Sequence, residues 1–196
     1  MNIKSITQLS ILLLASIGLS SQAFAKGNVI IVKAGTYTIE TQTQRVDAFP
    51  TITATFEEDG GTAGVEFDHL FKSGVSIGGG YQTFNLDYTY TGAGGGSGDV
   101  DASFFLFNSK YHFAKGSFKP FIGASVGFAL TDFSGGVTGN TIGIAAGVMA
   151  GIRWQFSTVG IYAEYKNMLA ADTEDSLDAE VDLAGDSVTA GLSFAF

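Results

Sequence analysis

The chain has 196 residues, a formal net charge of −9, no cysteine, two prolines, 27 glycines and 17 phenylalanines, and only 15% of its residues are charged. The negative balance excludes a nucleic-acid partner, whose phosphates need a basic face, and the absence of cysteine excludes a disulfide framework. The apolar content is too high for intrinsic disorder, and the length suits one domain.

The first segment reads as an export signal. Lys4 precedes an apolar block from Ile11 to Leu19, and Ala23-Phe24-Ala25 has the small-x-small pattern of a signal-peptidase site. Cleavage is expected after Ala25, dividing the chain into a signal peptide over 1–25 and a single domain over 26–196. Past Ala25 no run of 18 apolar residues occurs; the nearest, Ile142 to Ile152, is broken by Gly143, Gly147 and Gly151. A membrane-spanning helix is therefore excluded, and the remaining backbone arrangement that satisfies itself in lipid is a closed barrel.

Alternation of period two marks eight strands, near 28–39, 62–71, 74–90, 99–113, 118–132, 141–156, 159–169 and 186–196. The first, NVIIVKAGTYTIE, is the least certain in phase. In the third, Val75 and Ile77 are apolar in one phase while Phe84, Leu86, Tyr88 and Tyr90 keep the other, so a bulge is expected at Gly78-Gly79-Gly80. The fifth sets Pro120, Ile122, Ala124, Val126, Phe128 and Leu130 against small residues, and the sixth runs apolar at every second position from Ile142 to Phe156. In the seventh, Val159, Ile161, Ala163 and Tyr165 oppose Gly160, Tyr162, Glu164 and Lys166. The last, SVTAGLSFAF, carries Val188, Ala190, Leu192, Phe194 and Phe196 on one face and closes against the first strand.

Connections alternate strictly between tight turns (Lys72-Ser73, Ala114 to Ser117, Ser157-Thr158) and longer segments at about 40–61, 91–98, 133–140 and 170–185. That is the plan of an eight-stranded antiparallel up-and-down transmembrane β-barrel of the outer membrane, with both termini beside the short turns, in the periplasm. Within the first long connection, Phe49-Pro50 and Thr51 to Phe56 are candidates for extending the barrel above the membrane. Tyr111, Phe113, Phe118, Phe121, Trp154, Phe156, Phe194 and Phe196 are expected to form one interfacial girdle, and Tyr81, Tyr88, Tyr90 and Phe133 the other.

The polar face assembles into a lumen charge network of Lys33, Glu66, Asp68, Lys110, Arg153, Glu164 and Lys166, three acids and four bases. Buried charge is costly unless paired, so Arg153 and Lys110 are expected to neutralise Glu66, Asp68 and Glu164 and plug the centre. The fourth long connection holds seven acids (Asp172, Glu174, Asp175, Asp178, Glu180, Asp182, Asp186) and the first holds five (Glu40, Asp47, Glu57, Glu58, Asp59). They lack the spacing and turn glycine of a calcium loop, so a solvated external face is expected and no metal site is assigned. GAGGGSG at 92–98 lacks the following Lys-Ser/Thr of a phosphate loop and reads as a loop tip.

The stretches TAGVEFDHLFKSGVSIGGG and GSFKPFIGASVGFALTDF and the terminal Phe196 resemble the small outer-membrane barrel superfamily, and within it the outer-membrane protein W family. The resemblance implies insertion by the barrel-assembly machinery, which recognises a last strand ending in aromatics such as Phe194 and Phe196. It also implies passage of small hydrophobic molecules through a narrow lumen. The acidic fourth connection departs from the family pattern, so no ligand is carried over. A lipid A deacylase barrel would resemble the chain at KPFIGASVGFA but uses a His-Ser pair on a late strand, where this chain reads AEYKNM; His69 and His112 stand alone in the sequence.

The expectation is thus a monomeric outer-membrane barrel of a Gram-negative bacterium, in contact with membrane lipid and lipopolysaccharide, with no cofactor and no catalytic residues. Its expected role is structural in the envelope, with passage of small hydrophobic solutes through a narrow or plugged lumen. A surface receptor or adhesin acting through acidic loops is the alternative, and a lipid-modifying enzyme the third reading.

Overall fold

A computed structural model describes residues 27–40, 43–46, 52–57, 59–91, 95–114, 116–135, 139–174 and 180–196, and all structural statements concern these. The expected signal peptide, Asp47, Phe49-Pro50, Glu58, Asp175 and Asp178 lie outside the described residues. So do the side chains of Asp172, Glu174 and Glu180.

The strands are β1 (Asn28–Ile39), β2 (Thr43–Val46), β3 (Ile52–Phe56), β4 (Asp59–Leu70), β5 (Val75–Thr91), β6 (Gly96–His112), β7 (Phe118–Gly135), β8 (Gly139–Gln155), β9 (Val159–Glu174), β10 (Glu180–Asp182) and β11 (Gly185–Ala195). Eight of them close a cylinder, β1-β4-β5-β6-β7-β8-β9-β11-β1, every neighbour antiparallel. Closure leaves no sheet edge, so the backbone is satisfied without water. The seam pairs Ile30 with Phe194 and Val29 with Ala195, and Asn28 and Phe196 exchange backbone bonds of 3.0 and 3.3 Å. The C-terminal strand thus completes the wall.

The tight turns fall where the alternation predicts: Phe71 N–H donates to Val75 O at 2.8 Å, and Phe156 N–H to Val159 O at 2.8 Å. At the other end the strands outrun the sequence reading. β5, β6 and β8 have 17 residues and β7 has 18, whereas about 9–11 suffice to cross a bilayer. The described residues of the connections expected at 91–98 and 133–140 are therefore mostly strand: the ladder pairs Tyr90 with Gly96 and Phe133 with Gly139. In the first long connection β2 pairs with β3, and β3 pairs with the far end of β5 from Phe56↔Tyr88 to Thr53↔Thr91. In the fourth, β10 pairs with β9.

The expected bulge at Gly78-Gly79-Gly80 is absent. β5 runs in unbroken register with β4 and β6 through all three glycines. The glycines clear space instead: a Cβ at Gly78 would lie 2.2 Å from Asp68 Oδ1, and one at Gly80 would lie 2.8 Å from Glu66 Cγ. The irregularity sits between Ala146 and Gly147 on β8, where the register with β9 steps past Leu169.

Outside, an apolar belt covers β7, β8, β9 and β11: Ile122, Val126, Phe128, Ile144, Val148, Ile161, Val188 and Leu192 are all exposed. Water disfavours a continuous apolar surface of this extent, and acyl chains do not. Tyr111, Phe113, Phe118, Trp154 and Phe156 ring its short-turn end. Four residues expected in the girdles are elsewhere. Phe121 and Tyr88 are 2% and 3% exposed and face the lumen, and Tyr90 and Phe133 pack partly against the interior cluster.

Candidate functional site

The lumen holds the charged residues, and it has two chemically distinct halves. Nearer the short turns, Glu66 and Asp68 reach inward from β4 because their neighbours Val65 and Phe67 take the outer face; Glu164 and Lys166 do the same on β9 between Ala163 and Tyr165. Lys33 Nζ on β1 donates to Glu66 Oε1 and to Glu164 Oε1, each at 2.5 Å. Lys110 Nζ on β6 donates to Glu66 Oε2, to Asp68 Oδ2 at 3.1 Å and to Tyr162 OH at 3.2 Å. Lys166 Nζ is 3.7 Å from Glu66 Oε1 and 3.6 Å from Glu164 Oε1. Tyr162 donates to Glu164 Oε2.

These six ionic groups span the barrel from wall to wall, and none is more than 3% exposed. Stripping such groups of water costs several kcal/mol each, which multiple charge-assisted bonds in fixed geometry offset. Glu66 is the hub, touched by three ammonium groups. Tyr162 belongs to the cluster although sequence reasoning did not single it out; the signal was its place on the same face as Glu164 and Lys166.

Arg153 departs from the expected arrangement. It lies in the lumen at 2% exposure, yet forms no ion pair with Glu66, Asp68 or Glu164, and its Nε and Nη1 meet no acceptor. The ladder explains this: Arg153 is level with Lys119 and Tyr162, one inward position nearer the short turns than Glu164. Lys33 and Lys166, not Arg153, join Lys110 in neutralising the three carboxylates.

The half nearer the long strands is apolar and aromatic, which the sequence reading did not anticipate. Tyr37 stacks on Phe84 with centroids 4.1 Å apart and 4° between planes, and Phe104 lies 5.4 Å from Phe84. Leu86, Val100, Leu106, Met168 and Tyr88 join them. Phe56 from β3 and Leu183 beyond β10 cover the group, and the Leu183 carbonyl accepts from Tyr37 OH. Between the halves, Gln82, Asn108, Ser125, Ser187 and Thr189 are buried polar side chains with unpartnered atoms.

Both histidines have partners. His69 Nδ1 is 2.8 Å from Asn28 Oδ1, and His112 Nε2 is 3.2 Å from Ser76 Oγ. The second is a Ser-His pair that spacing conceals, since 36 residues separate its members. Ser76 is fully buried and His112 Nδ1 meets no acceptor, so the pair lacks the orienting carboxylate of a hydrolytic triad. Among the described residues no group of three or more His, Asp or Glu is placed to hold a metal.

The architecture has solved counterparts. The outer membrane protein OprG from Pseudomonas aeruginosa superposes with a TM-score of 0.65 at 14% identity, covering 87% of this chain and 97% of that one. Neisserial surface protein A gives 0.60 at 15% identity, covering 87% and 97%. The likeness is one of fold. No protein-family model matches the chain, and no curated protein is detectably similar in sequence.

Proposed function

We propose that the chain is an integral outer-membrane barrel of a Gram-negative bacterium. In this reading it is exported by a signal peptide cleaved after Ala25, folded by the barrel-assembly machinery through Phe194 and Phe196, and oriented with both termini in the periplasm. The observation that carries the reading is the pairing of an exposed apolar belt with a charge-filled interior. A soluble barrel of this size has the reverse distribution. Its primary role is envelope-structural, as a monomer embedded in lipid and lipopolysaccharide.

In this reading small hydrophobic solutes enter at the external end but have no straight path through. The aromatic cluster around Tyr37, Phe84 and Phe104 is compatible with an apolar guest, whereas the network centred on Glu66 blocks ions and water beneath it. Planar-bilayer recording tests this: no sustained conductance is expected, and a steady large conductance would remove the plug. Quenching of Trp154 by bulk aqueous solutes should be weak, because that side chain faces lipid. The receptor alternative has less support. Asp87, Asp99, Asp101 and Asp132 lie on the outer faces of strands just beyond the belt, within the ladder rather than on projecting loops.

A further inference from the structure

The charge count of the lumen does not close. Glu66, Asp68 and Glu164 balance Lys33, Lys110 and Lys166 through contacts of at most 3.7 Å, which leaves Arg153 as a fourth buried cation. Across the ladder Arg153 stands directly opposite Lys119, a half-buried residue on the same inward face of β7. Like charges placed directly opposite destabilise a sheet pair, and a buried guanidinium with donors unmet costs more than either group does in water. No carboxylate oxygen of the described residues lies within 4.0 Å of Arg153. Asp68 Oδ1 meets no donor either, but it is held against Gly78 on β5, and its partner oxygen is engaged by Lys110.

An aromatic stack adjoins these two cations. Phe121 stacks on Tyr162 with centroids 5.5 Å apart, and His112 packs against Phe121 at 5.4 Å. Arg153 is level with Tyr162 of that stack and Lys119 lies one inward position nearer the short turns than Phe121; they are two and one positions respectively from the ends of β8 and β7. The arrangement is a pair of cations at the short-turn mouth of the barrel, one buried with free N–H groups and one at the rim, open to the aqueous compartment on that side.

We propose that this mouth binds a small oxyanion of the phosphate or carboxylate class, held by the Arg153 guanidinium and closed over by the Lys119 ammonium. Guanidinium N–H groups match the geometry of such oxyanions, and a rim lysine adds a mobile point charge. The anion supplies the negative charge that the lumen lacks. This does not depend on which compartment the mouth faces or on solute entry at the other end.

The test uses the complete barrel folded in dodecyl maltoside, a detergent free of phosphate. Urea unfolding is followed by the fluorescence of Trp154, the single tryptophan. Sodium phosphate should raise the midpoint saturably, and sodium chloride at matched ionic strength should not. Arg153→Gln should abolish the phosphate effect while leaving the midpoint in chloride no lower than the parent's, because a surplus buried charge has been removed. Lys119→Gln, at the rim and harmless to folding, should weaken phosphate binding by about tenfold, near the lower edge of what a charge-assisted bond contributes. Coincident phosphate and chloride curves would overturn the site. So would a loss of stability for Arg153→Gln in chloride as large as that for Lys110→Gln, because Arg153 would then be compensated within the network, through water to Asp68.

Discussion

Up to the ladder row Thr83–Ser103–Leu130–Ile142 the barrel carries apolar side chains outside, over an interior that holds the ion network. In the next outward row Asn85, Asp101 and Asp132 stand on the outer face, and beyond it Asp87 opposes Asp99. At that height the interior is Tyr37, Phe84, Leu86 and Val100. The lower part is arranged for lipid outside, and the upper part for water outside, as in a soluble sheet that buries its greasy face. The same strands serve two solvents without a break. The period of two continues through both, and only the identity of the apolar face changes.

Substitutions at matched positions should break this comparison unequally. Glu66→Ala has the largest expected effect, because it strands the ammonium groups of Lys33 and Lys110 in the interior; removing one partner of a buried pair costs about 3–5 kcal/mol, read as a fall in the urea midpoint. Phe84→Ala in the upper half opens a cavity beneath Tyr37 and should cost about 3 kcal/mol, with the ion network and the fold at the short-turn end unchanged by amide exchange. On the outer face, Val126→Arg in the belt should cost about 2–4 kcal/mol, whereas Asp101→Arg, beyond it, should fall within about 0–1 kcal/mol. Equal costs at the two positions would erase the boundary.

The smallest effect is a pH dependence above the belt. Asp87 is hydrogen-bonded to Asp99, which raises its carboxyl above the usual aspartate range. A raised carboxyl favours the protonated form in the folded state, so its contribution is present at low pH and is lost as pH rises through the raised value. Because Asp87 is exposed, the consequence is confined to the strand tips: protection of amides near Asp87 and Asp99 should drop between acidic and neutral pH. Asp99→Asn should remove that dependence.

The parts legible in the sequence are those that depend on alternation alone. The bounds of β1, the start of β7 and β9, the tight turns and the lipid face of β7, β8 and β9 all follow from it. Alternation states that two faces differ but not which solvent each one meets, so the aromatics of β5 looked like a phase error requiring a bulge at Gly78-Gly79-Gly80. Tyr88 and Phe121 read as interfacial girdle residues for the same reason, although both point inward. The strand ends beyond Asp99 and Asp132 are hidden because Gly96, Ser97, Gly98, Ser134 and Gly135 read as loop composition when they continue the ladder. The network residues are visible as charges on the inner phase. Their pairing is not, since the register between β8 and β9 sets Arg153 level with Tyr162 rather than with Glu164.

One continuous barrel changes its apolar face at the Thr83–Ser103–Leu130 row. Spin labels placed singly at Phe105, Val126, Asp101 and Asp132 of the barrel in lipid nanodiscs test it through their collision rates with oxygen, which concentrates in acyl chains, and with a water-soluble nickel chelate. Oxygen-dominated collisions are expected at positions 105 and 126 and nickel-dominated collisions at 101 and 132. Nickel access at all four positions would contradict it.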